Sequence, residues 1–577
     1  MPEQFPERSF ASRAWVSRWD LVLLPLVIGI FFLLAWAGSH TSSAVHVGAH
    51  STISLSPALL PLYALKSTLR MLAALVVSIL FALLVGTWAA KSRRAEKVLI
   101  PLLDIGQSVP ILGFLSFALL WTLKLIHNVM LGAELAAIFA IFTSQVWNMA
   151  FSYYHSLKSL PKELVQAASV FQLSRWQRFL RLELPHAMPQ LVWNTMMSVS
   201  GGWFFVVASE AITVSGHRIL LPGIGSYIGV AIAERNLTAI GWAIFAMFVV
   251  IMLYNQLAFR PLVAWAEKFK MYPGEGEEPK SWMLNLLRRS AFVAAAVGMI
   301  HDIFAQFRRR RSPRSLRPPR ERARIIKLSP RVSETSWNVT LALVAVVTVV
   351  LLARYILGGM GIGEVGHVFL IGFYSLIRVV VLVILASLVW VPIGIQIGLR
   401  PKWTRRAQPL VLFLSAFPAN LLFPIFVYAI VVWRLNPQIW LSPLMVLGAQ
   451  WYILFNVIAG AQQIPSDLRE VANNLGLRGW HRWRRLYFPA IMPAYVTGGL
   501  TAAGAAWNAS IVAEFVTWGG STIKASGLGS YITEQTISGD QPRLVLGIAV
   551  MIIYVLLMNR LLWTRLYRLA EERYAEN

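Results

Sequence analysis

Apolar runs of about 20 residues, separated by short polar stretches, dominate the pattern along this chain. About 20 residues at 1.5 Å each cross the hydrocarbon of a bilayer. Backbone groups in lipid must be satisfied within the segment, so runs of this length predict helices rather than strands. Twelve runs meet the description: residues 20–37, 69–90, 109–127, 130–150, 190–210, 239–258, 337–356, 374–398, 410–433, 443–461, 493–515 and 544–563. The expected fold class is an all-α membrane protein. Prolines at 110 and 418 stand at the start of the third run in each half, where they are expected to break the helix and free carbonyls toward a pathway.

The pattern repeats. Shifting the sequence by 304 residues brings Trp147 onto Trp451, Pro161 onto Pro465, Trp203 onto Trp507 and Glu210 onto Glu514, and lays "GIGSYI" (223–228) on "GLGSYI" (527–532). Upstream the shift becomes 308 and pairs Arg70 with Arg378, Gly86 with Gly394 and Pro110 with Pro418. Such self-similarity marks a duplicated architecture. Six helices per half return the chain to the side it started from, so the halves are expected to be parallel repeats with the pathway between them. The reading gives a first repeat at 1–261, a linker at 262–336 and a second repeat at 337–577.

Charge sharpens this picture. The net charge is +26, yet only 14% of residues are charged and the mean hydropathy is +0.61. The Lys and Arg residues gather in loops on one side of the twelve-helix count ("KSRRAEK" at 91–97, "RPKWTRRAQ" at 400–408), as the positive-inside rule expects, which argues for a membrane surface rather than nucleic acid. Both termini are then expected to be cytoplasmic. Arg8, Arg13 and Arg18 ahead of an apolar run, with Ala35-Trp36-Ala37 after it, imitate a cleavable signal. The second half opens with its own helix at 337–356, so the first is read as a retained counterpart. The linker carries nine arginines between Arg308 and Arg324, too many to bury, and is read as cytoplasmic, with an interfacial helix at 282–306. The chain has no cysteine, which excludes disulfides, thiolate metal sites and cysteine nucleophiles.

Two polar segments interrupt the hydrocarbon pattern between the fourth and fifth runs of each half: "KELVQAASVFQLSRWQRFLRLELPHAMP" (162–189) and "SDLREVANNLGLRGWHRWRRLYFPAIMP" (466–493). Each follows a proline, Pro161 or Pro465, placed at a first helical turn. Ser466 or Asp467 is a candidate cap, and Leu468, Val471, Ala472 and Leu475 form an apolar stripe at helical spacing. Gly476 permits a sharp turn. Each segment is expected to be a cytoplasmic helix-turn-helix.

"EVANNLG" (470–476) followed by "FPAIMP" (488–493) resembles the EAA-type loop of permease subunits of ABC importers, and "QAASVFQ" (166–172) with "LPHAMP" (184–189) is similar. The resemblance implies a type I ABC importer-like fold. It also implies that the first short helix of each segment (161–189 and 465–493 overall) docks on a cytoplasmic ATPase and couples nucleotide state to transport. The residues it assigns to coupling are Gln166, Ala167, Ala168 and Gln172 in the first copy, and Glu470, Val471, Ala472 and Gly476 in the second. Gln166 and Gln172 depart from the Glu and Gly of the pattern. The sequence has no "GxxxxGK[ST]" phosphate loop and no metal-ligand cluster, so the chain is expected to be no enzyme and to hold no cofactor. ATP and Mg would belong to two separate ATPase subunits, and cargo would arrive on a periplasmic or lipid-anchored binding protein. An ion-coupled secondary transporter with duplicated halves is the alternative. It calls for carboxylates at mid-membrane, and Asp104, Glu210 and Glu514 lie at span edges.

"STLR" (67–70), "SLIR" (375–378), "SVPILGF" (108–114) and the paired "SE…GIGSYI" and "AE…GLGSYI" stretches resemble the nitrate, sulfonate, taurine and bicarbonate branch, which moves small anions or small organic acids. Arg70 and Arg378 would present guanidinium forks to an anion, or else snorkel to headgroups or cap carbonyls. Glu210 and Glu514 are expected to brace the glycine turns at 223–225 and 527–529 as part of an outer gate.

Overall fold

The computed structural model describes residues 53–126, 128–214, 217–269, 282–289, 330–358 and 360–574. The expected first span at 20–37, the arginine-rich part of the linker and most of the expected interfacial helix lie outside these residues. The described part of that helix is Trp282–Arg289.

The chain divides into two compact units. The larger comprises residues 42–254 and 352–577 and so contains most of both repeats; the smaller comprises residues 1–41 and 255–351. In the larger unit the first repeat runs through α1 (Leu60–Lys91), α2 (Arg93–Ser108), α3 (Ile111–Leu125), α4 (Val129–Lys158), α5 (Lys162–Val170) and α6 (Leu184–Glu210). A β-hairpin follows, of β1 (Ala211–Val214) and β2 (His217–Leu220), then α7 (Ile224–Ala233) and α8 (Leu237–Tyr254). The second repeat has α9 (Ile362–Gly398), α10 (Pro401–Ala416), α11 (Phe423–Val432), α12 (Gln450–Gln462), α13 (Ser466–Asn474) and α14 (Phe488–Ala513). It ends with a hairpin of β3 (Phe515–Trp518) and β4 (Ser521–Lys524), then α15 (Leu528–Ser538) and α16 (Gln541–Met558). In the smaller unit the longest described helix, Pro330–Leu357, presents almost every described side chain up to Leu351 outward, as a lipid-facing span does.

Among the described residues, eight helices are long and apolar enough to cross a membrane, and nine if one bent pair counts as a single span. The bent pair is the third span of the second repeat, where the axis turns by 71°. The prolines explain the break. Pro110 and Pro418 adopt extended backbone between two helical pieces and lack the N–H that would continue the ladder. The carbonyls of the prolines themselves open the next helical turn. Pro110 O accepts the Gly113 N–H and Pro418 O accepts the Leu421 N–H, so each break closes on its own chain.

Close packing comes from small residues at helical spacing. Ala133, Ala136, Ala137 and Ala140 form one stripe of α4 and let Ile111, Leu115 and Leu119 of α3 approach. On another face of α4, Met149, Ala150 and Tyr153 meet Ala82 of α1 and Leu191 of α6. The halves also join directly: the Ile111 N–H donates to Asn508 Oδ1 (2.8 Å), and Asn420 Nδ2 donates to the Phe204 carbonyl (3.1 Å).

Two local features were not anticipated. The hairpins β1–β2 and β3–β4 sit 304 residues apart and carry the chain from the fifth span into the glycine turns. The second is a π-turn at the foot of each fifth span, Phe179–Glu183 and Trp483–Tyr487. Pro185 and Pro489 follow at once, and each π-turn lets the helix pass a residue that cannot donate. The second arm of each polar segment therefore runs without a break into the membrane helix, where the sequence had suggested two separate helices.

Candidate functional site

Two sites take up most of the residues singled out above, and a third was not foreseen. The first is a buried ion cluster where β1–β2 and the glycine turn meet α1. Arg70, 4% exposed, lies ten residues into α1 and reaches two carboxylates. Its Nε and Nη2 bond Glu134 on α4 (2.5 and 2.6 Å), and its Nη1 bonds Glu210 at the end of α6 (2.7 Å). Nη2 also donates to the Pro222 carbonyl. Glu210 in turn accepts from the Ser67 hydroxyl (2.6 Å) and the Gly225 N–H (2.6 Å), while Ser67 Oγ accepts the Ile224 N–H. The carboxylate thus holds the glycine turn. A Cβ at Gly223 would stand 2.3 Å from it, so only glycine fits this approach.

The second repeat builds the same cluster with one change. Arg378 Nη1 bonds Glu514 (2.9 Å) and the Ser526 carbonyl, while Glu514 accepts from Ser375 Oγ (2.8 Å) and the Gly529 N–H (2.8 Å). Where Arg70 meets Glu134, Arg378 meets Gln438, whose Oε1 accepts from Nη2 at 2.9 Å. Arg378 is correspondingly looser, with 14% of its side chain exposed. Of the roles the sequence offered these arginines, capping carbonyls is the one seen, at Pro222 and Ser526, and buried carboxylates join it. Carboxylates, carbonyls and the Gln438 amide of the chain already engage both forks. The missed partners were Glu134 and Gln438. The signal for them was a carboxylate inside an apolar run, with an amide 304 residues further on. Asp104 lies apart, exposed on α2.

The second site is the pair of polar loops. In α5 and its C-cap, Ala168 is buried, while Gln166, Ala167, Val170 and Phe171 are exposed; in α13 and its C-cap, Ala472 is buried, while Glu470, Val471 and Leu475 are exposed. Both helices close in the same way. The Leu173 N–H returns to Ala168 O and the Leu477 N–H to Ala472 O, around a left-handed residue: Gln172 at φ 49° and Gly476 at φ 65°. The prolines sit one position earlier than expected, at the N-cap, and neither Ser466 nor Asp467 caps the helix. Behind the loops the repeats again differ. Buried Glu183 pairs with Arg178 (2.9 Å) and Lys91 (2.7 Å), whereas Tyr487, 304 residues on, lies under the Arg482 guanidinium at 5.3 Å. Close by, hydrogen bonds from Lys158 and then Tyr154 hold Glu96 below the usual carboxylate range.

The third site is a cavity of ≈ 80 Å³ between the halves, lined from α6, α10, α12 and α14 and by the segments 417–419 and 444–449. Four of its fifteen lining residues belong to the first repeat and eleven to the second, so it lies off the pseudo-symmetry axis. Sequence reasoning did not find it, because no lining residue is charged. Among the described residues no group of three or more His, Asp or Glu could hold a metal ion.

Comparison with known proteins follows this geometry. Residues 78–263 and 390–575 each match the family described as "Binding-protein-dependent transport system inner membrane component". The chain belongs to this family. It carries two copies of the family's domain in tandem, as a fused permease of the ABC importer class. It is 29% identical over 187 residues to the nitrate import permease protein NrtB of Leptolyngbya laminosa, covering 32% of this chain and 63% of that one. It is 29% identical over 206 residues to the glycine betaine/proline betaine permease ProW of Escherichia coli, covering 35% and 54%. Identity to the bicarbonate permease CmpB of Synechocystis is 27% over 172 residues, covering 30% and 55%. The matched stretch thus spans between about half and two-thirds of each relative's length. These relatives are membrane transport components rather than enzymes, and with the apolar helices they make this chain a multi-pass inner-membrane permease.

Proposed function

We propose that this permease imports a small solute, a small anion or small organic acid, from periplasm to cytoplasm. Two separate ATP-binding cassette subunits drive it, one docked on each polar loop. ATP and Mg are held by those subunits, cargo is delivered by a binding protein, and both termini face the cytoplasm. The observation that carries this reading is the duplicated loop. Each presents a short helix with one buried alanine and an exposed apolar face, closed by the same left-handed turn, at the foot of a continuous helix of about 40 Å that ends at the ion cluster. An exposed apolar patch rimmed by polar residues marks a docking surface, and a stiff helix behind it carries displacement to the far end. The nitrate and bicarbonate relatives support the anion class. Ion-coupled transport is less well supported, because Glu134, Glu210 and Glu514 are all committed to arginines.

The test is co-purification with a co-expressed ATP-binding cassette subunit. Ala168→Glu with Ala472→Glu should abolish retention of the ATPase while the permease still inserts and stays monodisperse. Undiminished retention in the double variant would remove the loops as docking sites.

A further inference from the structure

The cavity between the halves permits a narrower statement about cargo, resting on the importer reading. One water needs roughly 10–15 Å³ of such volume, so this cavity holds about five to eight water-sized positions, the size of a small organic molecule. Its α6 residues, Ser200–Phe205, lie about 8–15 Å before the Glu210 end at about 1.5 Å per residue, and therefore inside the helix bundle. Three phenylalanines, Phe204, Phe205 and Phe417, form much of its wall.

Its polar groups are few, and most are already engaged. Ser200 Oγ donates to Met196 O and Ser415 Oγ to Leu412 O. Asn508 accepts the Ile111 N–H and donates to Gly504 O, which leaves one amide hydrogen. The Tyr452 hydroxyl crosses the boundary between halves and lies against Gly201, where a Cβ would stand 2.7 Å from it. No hydrogen bond to this hydroxyl is found among the described residues. The recognition chemistry is thus one hydroxyl and one amide hydrogen among aromatic faces, with no counter-ion.

A bare inorganic anion in such a cavity would lose its hydration and gain no cation, which is among the costliest burials a protein can make. A zwitterion brings its own counter-charge. Its acid group can accept from Tyr452 and Asn508, and its ammonium end can rest on aromatic faces. We infer that this cavity is a transient cargo site, supplied chiefly by the second repeat, that accepts a zwitterionic small organic acid in preference to an inorganic anion.

The absence of cysteine makes the test direct, and it needs neither ATPase nor binding protein. Ser415→Cys and Ser200→Cys, each nearly isosteric, are made separately in the full chain, and labelling by methyl methanethiosulfonate is timed in detergent. Taurine and glycine betaine should slow labelling several-fold, sodium nitrate should not, and Tyr452→Phe should remove the protection. Protection by nitrate equal to that by the zwitterions overturns the inference. So does the absence of protection by any of the three, the absence of reaction at both thiols, or protection indifferent to Tyr452→Phe. If the zwitterions protect while the ATPase fails to co-purify, the cavity assignment stands and the importer reading falls.

Discussion

The ion cluster of the first repeat and that of the second hold the same glycine turn by different electrostatic means. In the first, Arg70 faces two carboxylates, and Lys66, one helical turn before Arg70, restores the balance; in the second, Tyr374 and Gln438 stand where Lys66 and Glu134 stood. Counting side chains, Lys66, Arg70, Glu134 and Glu210 sum to zero, and so do Tyr374, Arg378, Gln438 and Glu514. Either solution closes the charge account. The first does so with more ions and deeper burial, which makes it strong while complete and vulnerable when one member is lost.

This difference should be largest when the arginine is removed. Arg70→Met strands two buried carboxylates and should lower stability by about 3–5 kcal/mol, the cost of breaking a buried pair. Arg378→Met strands one carboxylate beside a neutral amide in a more open site and should cost less. Thermal unfolding in detergent reads both, and equal losses would dissolve the contrast. Next in size are the glycine turns, which serve as the symmetric control. Gly223→Ala and Gly527→Ala each force a Cβ to within 2.3 Å of a carboxylate, and both should cost about 1–3 kcal/mol by overpacking. A marked inequality would mean that the clusters differ in compliance as well as in charge.

The loops extend the comparison to the other end of the same helices. Gln172 occupies a left-handed conformation that costs a non-glycine residue about 1–2 kcal/mol, whereas Gly476 adopts it freely. Gln172→Gly should therefore tighten the first loop, and Gly476→Gln should loosen the second by a similar amount. If the second loop couples more tightly because its turn is unstrained, uptake and ATPase activity in vesicles should suffer more from Gly476→Gln than from Gln172→Gly, and the reverse order would sink this asymmetry. The smallest effects belong behind the loops. Glu183→Gln gives up two ion pairs to partly exposed cations, and Tyr487→Leu gives up one cation–π contact; each should cost about 1 kcal/mol or less. Hydrogen exchange of the two short helices would register either loss as local opening.

Much of this was legible in the sequence because duplication converts weak signals into strong ones. Trp147 and Trp451, or the two GxGSYI stretches, say little singly and a great deal when 304 residues apart. The paired loops follow from hydropathy and proline placement alone. The arginine partners were hidden for a different reason. Periodicity reports which face of a helix is apolar, but whether Arg70 turns toward lipid or toward Glu134 depends on how α1 and α4 pack, which no local pattern encodes. The hairpins escaped because four-residue strands are shorter than any alternation that could be recognised. The π-turns escaped because a single inserted residue leaves hydropathy unchanged. The cavity escaped because it is defined by what is missing between helices from two halves.

That both repeats lie on one polypeptide has a genetic consequence. In a permease assembled from two copies of one subunit, every codon change is expressed twice, so replacing Glu134 by glutamine would alter both clusters together. Fusion removes this constraint. A substitution can be tried on one side while the other keeps the pathway working, and a compensating change such as that at Lys66 need appear only once. Two identical subunits would build an off-axis cavity in duplicate, whereas here the cavity with eleven of its fifteen lining residues from the second repeat can change without altering a symmetry mate.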